Sequence, residues 1–225
     1  MPYVLNKRRN ICGKSAVASA AYRSGEILTN DYDGVTHDFT RKRGIVHTEI
    51  LLPPHAPPEF SDRSILWNSV EKIEKAKNSQ LAREVEIALP VELNREQQIQ
   101  LVREYVKDNF VLVGMCADIA IHDKEDGNPH AHIMLTMRQL EESGEWGAKS
   151  KKEYILDKDG QREKLKNGTF KSRKINTVDW NEKEKAEVWR DDKTGEGTSI
   201  YQSYPIEAKS VSYSVGIFKQ NHSGK

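Results

Sequence analysis

Three histidines lie in a short stretch whose residues alternate as in paired β-strands. His130 and His132 flank Ala131, and His122 ends an alternating stretch that begins at Met115. Successive side chains of a strand point to opposite faces, so His130 and His132 share one face. The turn between the stretches, 126–129, reads Asp-Gly-Asn-Pro, which favours a hairpin. Three imidazoles near one point suit a divalent metal that keeps a coordination position open for substrate.

A plainer interpretation competes with this one. Two histidines at this spacing in an arbitrary strand are more often surface or packing residues than ligands. The third histidine, at the mouth of the same hairpin, changes that balance. The pattern therefore predicts a metal site formed by His122, His130 and His132.

Two carboxylates form a second candidate group for chemistry. Residues 83–90 alternate as a strand that ends at a proline, with Val85 and Ile87 on one face and Glu84 and Glu86 on the other. By default such carboxylates face water. If they face the histidines instead, either one could orient a ligand or accept a proton.

Several predicted elements must position these groups. A helix rich in alanine and serine follows Ser15 as its N-cap and ends at Gly25, and it carries Tyr22 near its end. An aromatic ring there could simply be part of the core. The remaining predictions, in chain order, are strands at 3–5, 36–39 and 44–52, a helix from Ser61 to about 78, a helix from Asn94 to about 109, a long loop at 139–174 with a short hairpin turning at 157–160, and a helix at 180–190.

Basic residues cluster at several points along the chain, although the net charge is only +1. Such clusters can contact the phosphates of nucleic acid, but by default each is a solvated surface. The candidates for phosphate contacts are Lys14, Arg23, Arg41, Lys42, Arg43 and the loop from Lys149 to Lys174, which includes Lys151 and Lys152.

The composition limits the class of protein. The 225 residues are 36% hydrophobic and 31% charged, which is enough for one domain with a core and a polar surface. Cys12 and Cys116 form no disulfide framework, and a reducing, cytoplasmic setting is expected. No apolar run is long enough to span a bilayer, and the first residues lack the order of a signal peptide.

Several blocks, taken together, resemble one protein family. Residues 13–26, Gly-Lys-Ser-Ala-Val-Ala-Ser-Ala-Ala-Tyr-Arg-Ser-Gly-Glu, are similar to the helix that carries the nucleophilic tyrosine in mobilisation relaxases of the MobA/MobL type. These enzymes belong to the HUH endonuclease superfamily, and residues 128–136, Asn-Pro-His-Ala-His-Ile-Met-Leu-Thr, resemble their histidine strand. Further matching blocks are 36–40, 46–53, 82–90 and 180–190.

The resemblance covers most of residues 3–190, and the combination of blocks is highly specific although no single block is. It implies a relaxase domain at 1–190 with an α/β fold, an α+β sandwich in which helices pack on a central antiparallel sheet. The tail at 191–225 departs from the family pattern, which indicates a truncated or altered terminus, and no structure is assigned to it.

The implied activity is site- and strand-specific nicking of single-stranded DNA at an origin of transfer, followed by strand transfer. Tyr22 would attack the phosphorus and remain joined to the 5′-phosphate, while the three histidines hold Mn²⁺ or Mg²⁺. Manganese suits three nitrogen ligands better than magnesium does. Glu84 is the first choice to orient a histidine or accept the proton, and Glu86 the second. The implied partners are single-stranded origin DNA with an adjacent hairpin, auxiliary relaxosome proteins and a coupling protein.

Three alternatives remain at the level of the sequence. A rolling-circle replication initiator of the same superfamily would place its histidine strand before its tyrosine, whereas Tyr22 precedes His130 here. A metal hydrolase that uses water would share the histidines but leave no protein–DNA adduct. A non-catalytic DNA-binding module would explain the basic loops but not three convergent imidazoles.

Overall fold

A five-stranded antiparallel sheet forms the centre of the molecule. The computed structural model describes residues 15–76, 79–182, 184, 185, 188 and 189, and the backbone of 213–219. The strands of the sheet, in spatial order, are β3 (Ile45–Leu51), β5 (Ala117–His122), β6 (His130–Thr136), β4 (Gln80–Ala88) and β9 (Tyr213–Lys219). The predicted histidine hairpin is the β5–β6 pair, and it occupies the middle of this sheet.

Helices cover both faces of the sheet, because alternate residues of the central strands enter different cores. Met134 packs with helices α1 (Ala16–Ser24) and α2 (Arg63–Ile73) on one face. Ile133, the next residue, packs with helix α3 (Arg95–Val106) on the other face. The prediction of an α/β fold with helices packed on a central antiparallel sheet is confirmed.

Helix α1 has the ends that its sequence predicts. The Ser15 hydroxyl accepts the amide of Ala18 at 3.1 Å, and Gly25 adopts the left-handed conformation (φ 71°) with its N–H directed to the Ala21 carbonyl. The alanines of the helix are buried, and their small side chains allow it to lie close to the sheet. Tyr22 is only half-buried.

Helix α2 differs from its prediction at both ends. Ser61 belongs to a short 3-10 turn (Pro58–Ser61), and Asp62 is the N-cap, accepting the amide of Ile65 at 3.0 Å. The helix ends at Ile73 rather than near residue 78. The buried carboxylate of Glu74 follows, where it pairs with Arg138 and Lys149, and these long-range contacts outweigh the local helix propensity.

Helix α3 begins as predicted and ends in an unusual turn. Asn94 and Gln97 form a reciprocal capping box, in which each side chain accepts the backbone N–H of the other residue. A single π-helical turn (Lys107–Val111) continues the helix and leads to the buried Met115 before β5. The predicted extent of this helical segment is therefore confirmed.

The segment predicted as a long loop contains an antiparallel pair, β7 (Ser150–Tyr154) and β8 (Ser172–Asn176). We call residues 150–176 the β-arm. The predicted turn at 157–160 is present at its far end, closed by a bridge between Leu156 and Arg162. A smaller antiparallel pair, β1 (Ile27–Thr29) with β2 (Thr36–Asp38), completes the described strands.

The predictions for the two ends of the chain differ in how they compare with the structure. The predicted strand at 3–5 lies outside the described residues. The tail, to which no structure was assigned, contributes β9, which pairs antiparallel with β4 at the edge of the sheet. The predicted helix at 180–190 includes positions outside the described residues, and Trp180 and Trp189 are both buried.

A buried ion pair fixes α2 to β5. The Asp118 carboxylate accepts two nitrogens of Arg63 at 2.8–3.0 Å and the indole N–H of Trp67 at 2.8 Å. Asp118→Ala should lower the free energy of unfolding by about 3 kcal/mol, because the buried Arg63 cation loses its two-nitrogen contact with Asp118 and keeps the more exposed Glu26 as a partner. Urea denaturation of this variant measures the loss. Asp159→Ala, in an exposed turn, is the control, and an equal effect in both variants would contradict the assigned role of the ion pair.

Cys116 is fully buried in the core, where it packs as a small apolar side chain. Burial raises the pKa of its thiol to about 12, so the thiol is protonated at neutral pH. Among the described residues, no helix combines the length and apolar character needed to cross a membrane.

Candidate functional site

The three histidines of the β5–β6 hairpin converge on one point. His122 and His130 are direct cross-strand partners, and His132 lies two residues further along the same face. The ring centroids are 5.5 Å apart for His122 and His130, 4.7 Å for His122 and His132, and 5.1 Å for His130 and His132. One nitrogen from each ring lies within 4.8 Å of the other two. The antiparallel register alone is enough to assemble this cluster.

Each ring is oriented by a hydrogen bond from one nitrogen to an oxygen acceptor: His130 Nδ1 to the Asn128 carbonyl at 2.8 Å, His132 Nδ1 to Glu84 Oε1 at 3.0 Å, and His122 Nε2 to the Arg23 carbonyl at 2.7 Å. Carbonyl and carboxylate oxygens only accept, so these nitrogens carry the protons and the opposite nitrogens carry lone pairs. Histidine ligands of metals are held in this way.

The donor set fits a divalent metal ion. A metal about 2.1 Å from each nitrogen holds its ligands at most ~4.2 Å apart, so the rings need to close only slightly. Burial lowers the pKa of His122 to about 3, and the neighbouring His132 and Lys42 act in the same direction. His122 is therefore neutral at physiological pH, as a metal ligand must be. The cluster can hold a metal, while the identity of the ion stays a prediction.

Glu84 joins the histidine cluster to helix α1. Its carboxylate accepts the Nδ1–H of His132 and also forms an ion pair with the Arg23 guanidinium. Burial raises the pKa of Glu84, but Arg23 and the hydrogen bond from His132 outweigh burial and lower the pKa to about 2. The carboxylate is thus ionised at neutral pH, and its charge fixes the tautomer of His132.

Glu86 lies beside the cluster without joining it. It is the direct cross-strand partner of His132 and is half-buried on the same face of the sheet. In the part of the chain that the structure describes, the Nδ1–H of His132 donates to Glu84, two residues earlier on β4. The sequence predicted that both carboxylates share one face of the strand but could not show which one reaches the ring.

Tyr22 occupies the end of α1 that touches the histidines. The carbonyl of Arg23, the next residue, is the group that accepts the hydrogen bond from His122. The Tyr22 ring packs edge-on against Phe39, with centroids 5.2 Å apart, and the Lys42 ammonium lies 3.9 Å from its centroid. The predicted nucleophile helix and the predicted metal site are therefore in direct contact.

The predicted phosphate contacts fall into different environments. Arg23 has a side chain that is 11% exposed, paired with Glu84 and hydrogen-bonded to the Ser19 carbonyl at 3.0 Å. Lys42 is half-buried against Tyr22, whereas its neighbours Arg41 and Arg43 are exposed. Lys151 and Lys152 are exposed on the β-arm, and Lys14 lies outside the described residues.

Sequence reasoning missed two features of this site. The pairing of Arg23 with Glu84 joins residues 61 positions apart, and no local pattern predicts it. Nothing in the triplet of residues 41–43 distinguishes the inward Lys42 from its exposed neighbours. The sequence did carry a weaker signal for the orientation of His130, because the Asn-Pro turn before this residue provides the carbonyl that accepts its Nδ1–H.

Comparisons with known proteins point to one family. The MobA/MobL family model matches residues 14–195. The conjugal transfer protein TraA of Rhizobium radiobacter is 42% identical over 166 aligned positions, and the match covers 69% of this chain and 15% of that protein. The probable mobilization protein MobA of Bifidobacterium longum is 37% identical over 153 residues, 67% of this chain and 27% of that protein. The chain thus spans only a small part of the length of these relatives.

A solved structure is similar along nearly the whole chain. It is described as "Molecular Basis of Vancomycin Resistance Transfer in Staphylococcus aureus", and it covers 87% of this chain and 89% of its own at 30% sequence identity, with a TM-score of 0.68. On the family match over residues 14–195, the chain belongs to the MobA/MobL family.

Proposed function

We propose that this chain is a relaxase domain that nicks single-stranded DNA at an origin of transfer and transfers the strand through a 5′-phosphotyrosine on Tyr22. The observation that carries the proposal is the 2.7 Å hydrogen bond between His122 and the Arg23 carbonyl, which joins the histidine cluster to the end of the tyrosine helix. Family membership supports it, as do relatives named as conjugal transfer and mobilization proteins.

The reaction is a transesterification at phosphorus. The Tyr22 hydroxyl oxygen attacks the scissile phosphate in line, a bond forms between this oxygen and phosphorus, and the bond to the 3′-oxygen breaks. The phenol loses its proton and the departing 3′-oxygen gains one. Because a phosphodiester is exchanged for another, the reverse attack by a 3′-hydroxyl reseals the strand.

A divalent ion bound by His122, His130 and His132 would stabilise the negative charge that develops on the phosphate oxygens. We propose Mn²⁺ or Mg²⁺, with manganese better suited to three nitrogen ligands. Glu84 orients His132 rather than accepting the proton, because a carboxylate with a pKa of about 2 is a weak base at neutral pH. Glu86, beside His132 but outside that ion pair, is the alternative proton acceptor.

A labelled oligonucleotide tests the proposal. Single-stranded DNA that spans the element's own transfer origin is labelled at either end, incubated with protein and Mn²⁺, and separated by denaturing electrophoresis. The 3′ label should migrate with the protein, and the 5′ label should appear on a shorter free strand. Cleavage without a protein-linked label would indicate hydrolysis by water, and linkage of the 5′ label would mean the opposite polarity. DNA of scrambled sequence is the control.

Exposed basic residues provide the proposed contacts with DNA. Each neutralised phosphate of a single strand contributes about 0.7 to the slope of log affinity against log salt. Replacing Arg41 and Arg43 together with glutamine should therefore flatten this slope by roughly 1.4, and the same holds for Lys151 with Lys152. Fluorescence anisotropy at several salt concentrations measures it. Lys72→Gln, an exposed lysine on α2, is the control, and an unchanged slope removes the cluster from the interface.

The DNA substrate, the partner proteins and the cellular location are part of the same proposal. The substrate is origin DNA whose single-stranded nick site adjoins a hairpin, and the exposed basic β-arm is suited to its phosphates. Auxiliary relaxosome proteins and a coupling protein are the proposed partners, in the cytoplasm. Arg23 and Lys14 remain candidates for DNA contact, although Arg23 already pairs with Glu84.

A further inference from the structure

Lys42 differs from the two arginines beside it in direction and in contacts. Arg41 and Arg43 are exposed, while the Lys42 side chain turns toward helix α1 and is half-buried. The turn that carries it is closed by the Lys42 amide, which donates to the Phe39 carbonyl at 2.9 Å. Phe39 itself packs edge-on against the Tyr22 ring. One short turn therefore places two side chains on Tyr22.

The Lys42 ammonium contacts Tyr22 in two ways. Nζ donates a hydrogen bond to the Tyr22 carbonyl at 2.7 Å and lies 3.9 Å from the centroid of the Tyr22 ring. The carbonyl belongs to the last turn of α1, where the helix dipole favours a cation. The ring contact is a cation–π interaction, which attracts the ammonium to the face of the ring. Together, the two contacts restrict both the backbone and the side-chain direction of Tyr22.

The same ammonium lies next to the histidine cluster, with Nζ 3.5 Å from His122 Nε2. A lysine that was merely exposed to solvent, or that only contacted a phosphate of DNA, would not need this position between the tyrosine and the histidines. The two contacts with Tyr22 hold the ammonium between the Tyr22 ring and the cluster from a third element, the turn before β3. The approach to His122 is a proximity and not a hydrogen bond, because His122 Nε2 already donates to the Arg23 carbonyl. In-line attack depends on such positioning, and an error of about 1 Å can reduce a rate ~10²-fold.

We propose that Lys42 is a positioning residue for Tyr22, which holds the ring and the end of α1 against the histidine cluster, and that it acts on the chemical step more than on DNA affinity. The part of this inference that concerns rate rests on the proposed function. The part that concerns the tyrosine does not, because it can be measured in the protein without DNA or metal.

The first test uses NMR of protein labelled with ¹³Cζ-tyrosine, in which Tyr22→Phe identifies the Tyr22 signal. Lys42→Met retains the length of the side chain and removes its charge. We expect the Tyr22 signal to shift or broaden in Lys42→Met and to stay at its wild-type position in Lys42→Arg and in Arg41→Met. An unmoved signal in Lys42→Met, or an equal change in Arg41→Met, would overturn the inference.

The second test measures single-turnover nicking at saturating DNA, together with the Kd. Lys42→Met should slow the reaction roughly 10–100-fold, with a Kd within about threefold of wild type and partial rescue in Lys42→Arg. Lys72→Met is the control. A wild-type rate with a weaker Kd and a flatter salt slope would make Lys42 a phosphate contact and overturn the positioning role. If the wild-type protein does not nick, the proposed function fails, and the NMR result alone decides the inference.

Discussion

Tyr22→Phe should form no covalent adduct with origin DNA and cut no strand, with a loss of nicking on the order of 10⁴-fold or more. Phenylalanine retains the ring that packs against Phe39 and lies under Lys42, and it removes only the hydroxyl oxygen that would attack phosphorus. The expected effect on stability is within about 0.5 kcal/mol, because Tyr22 is half-buried and its ring contacts persist.

Mass spectrometry identifies the residue that carries the adduct. Trypsin and nuclease digestion of the wild-type complex should leave a 5′-phosphonucleotide on the peptide that contains Tyr22. Tyr32→Phe is a control, since that tyrosine is 72% exposed in a turn beyond β1. An adduct on a different tyrosine, or wild-type cleavage by Tyr22→Phe, would mean that Tyr22 is not the nucleophile.

His132→Ala should abolish metal binding and nicking while the protein stays folded. The substitution removes one of three nitrogens and also leaves Glu84 without its histidine partner, so the affinity for Mn²⁺ should fall by more than about 100-fold. Isothermal titration calorimetry measures the affinity. In the wild-type protein, excess chelator should stop nicking and added Mn²⁺ should restore it.

His47→Ala is a matched control for that variant. His47 is also a half-buried histidine paired with a glutamate, through Nε2 and Glu49 Oε1 at 3.0 Å, but it lies outside the cluster. Its loss should leave Mn²⁺ affinity unchanged. An unchanged nicking rate in excess chelator, or an equal loss of Mn²⁺ affinity in both variants, would contradict the metal role of the three histidines.

The parts of the fold that the sequence predicted well depend on local chemistry. The β5–β6 hairpin follows from a period of two and an Asp-Gly-Asn-Pro turn, and the ends of α1 follow from Ser15 and Gly25. The proximity of the three histidines required only that hairpin. Such features involve residues within about one turn or one strand pair of each other, where sequence patterns are most informative.

The parts that were missed depend on distant partners. Strand β9 pairs with β4 across more than 120 residues, and no local pattern in the tail indicates which strand is its partner. The early end of α2 reflects the buried Glu74 and its two distant cations. Lys42 turns inward because its ammonium donates to the Tyr22 carbonyl. This contact forms only when the fold brings α1 next to the turn before β3, so the sequence alone does not indicate it.

The shared carboxylate of Glu84 links two equilibria. Because it pairs with His132 on β6 and with Arg23 on α1, a ligand that changes one contact changes the free energy of the other. Such coupling is reciprocal. If a metal on the histidines orders the tyrosine helix and thereby raises the affinity for DNA, bound DNA must raise the affinity for the metal by the same factor. Metal and DNA would then bind this domain cooperatively, and a weakly held ion would become tightly held only on its substrate.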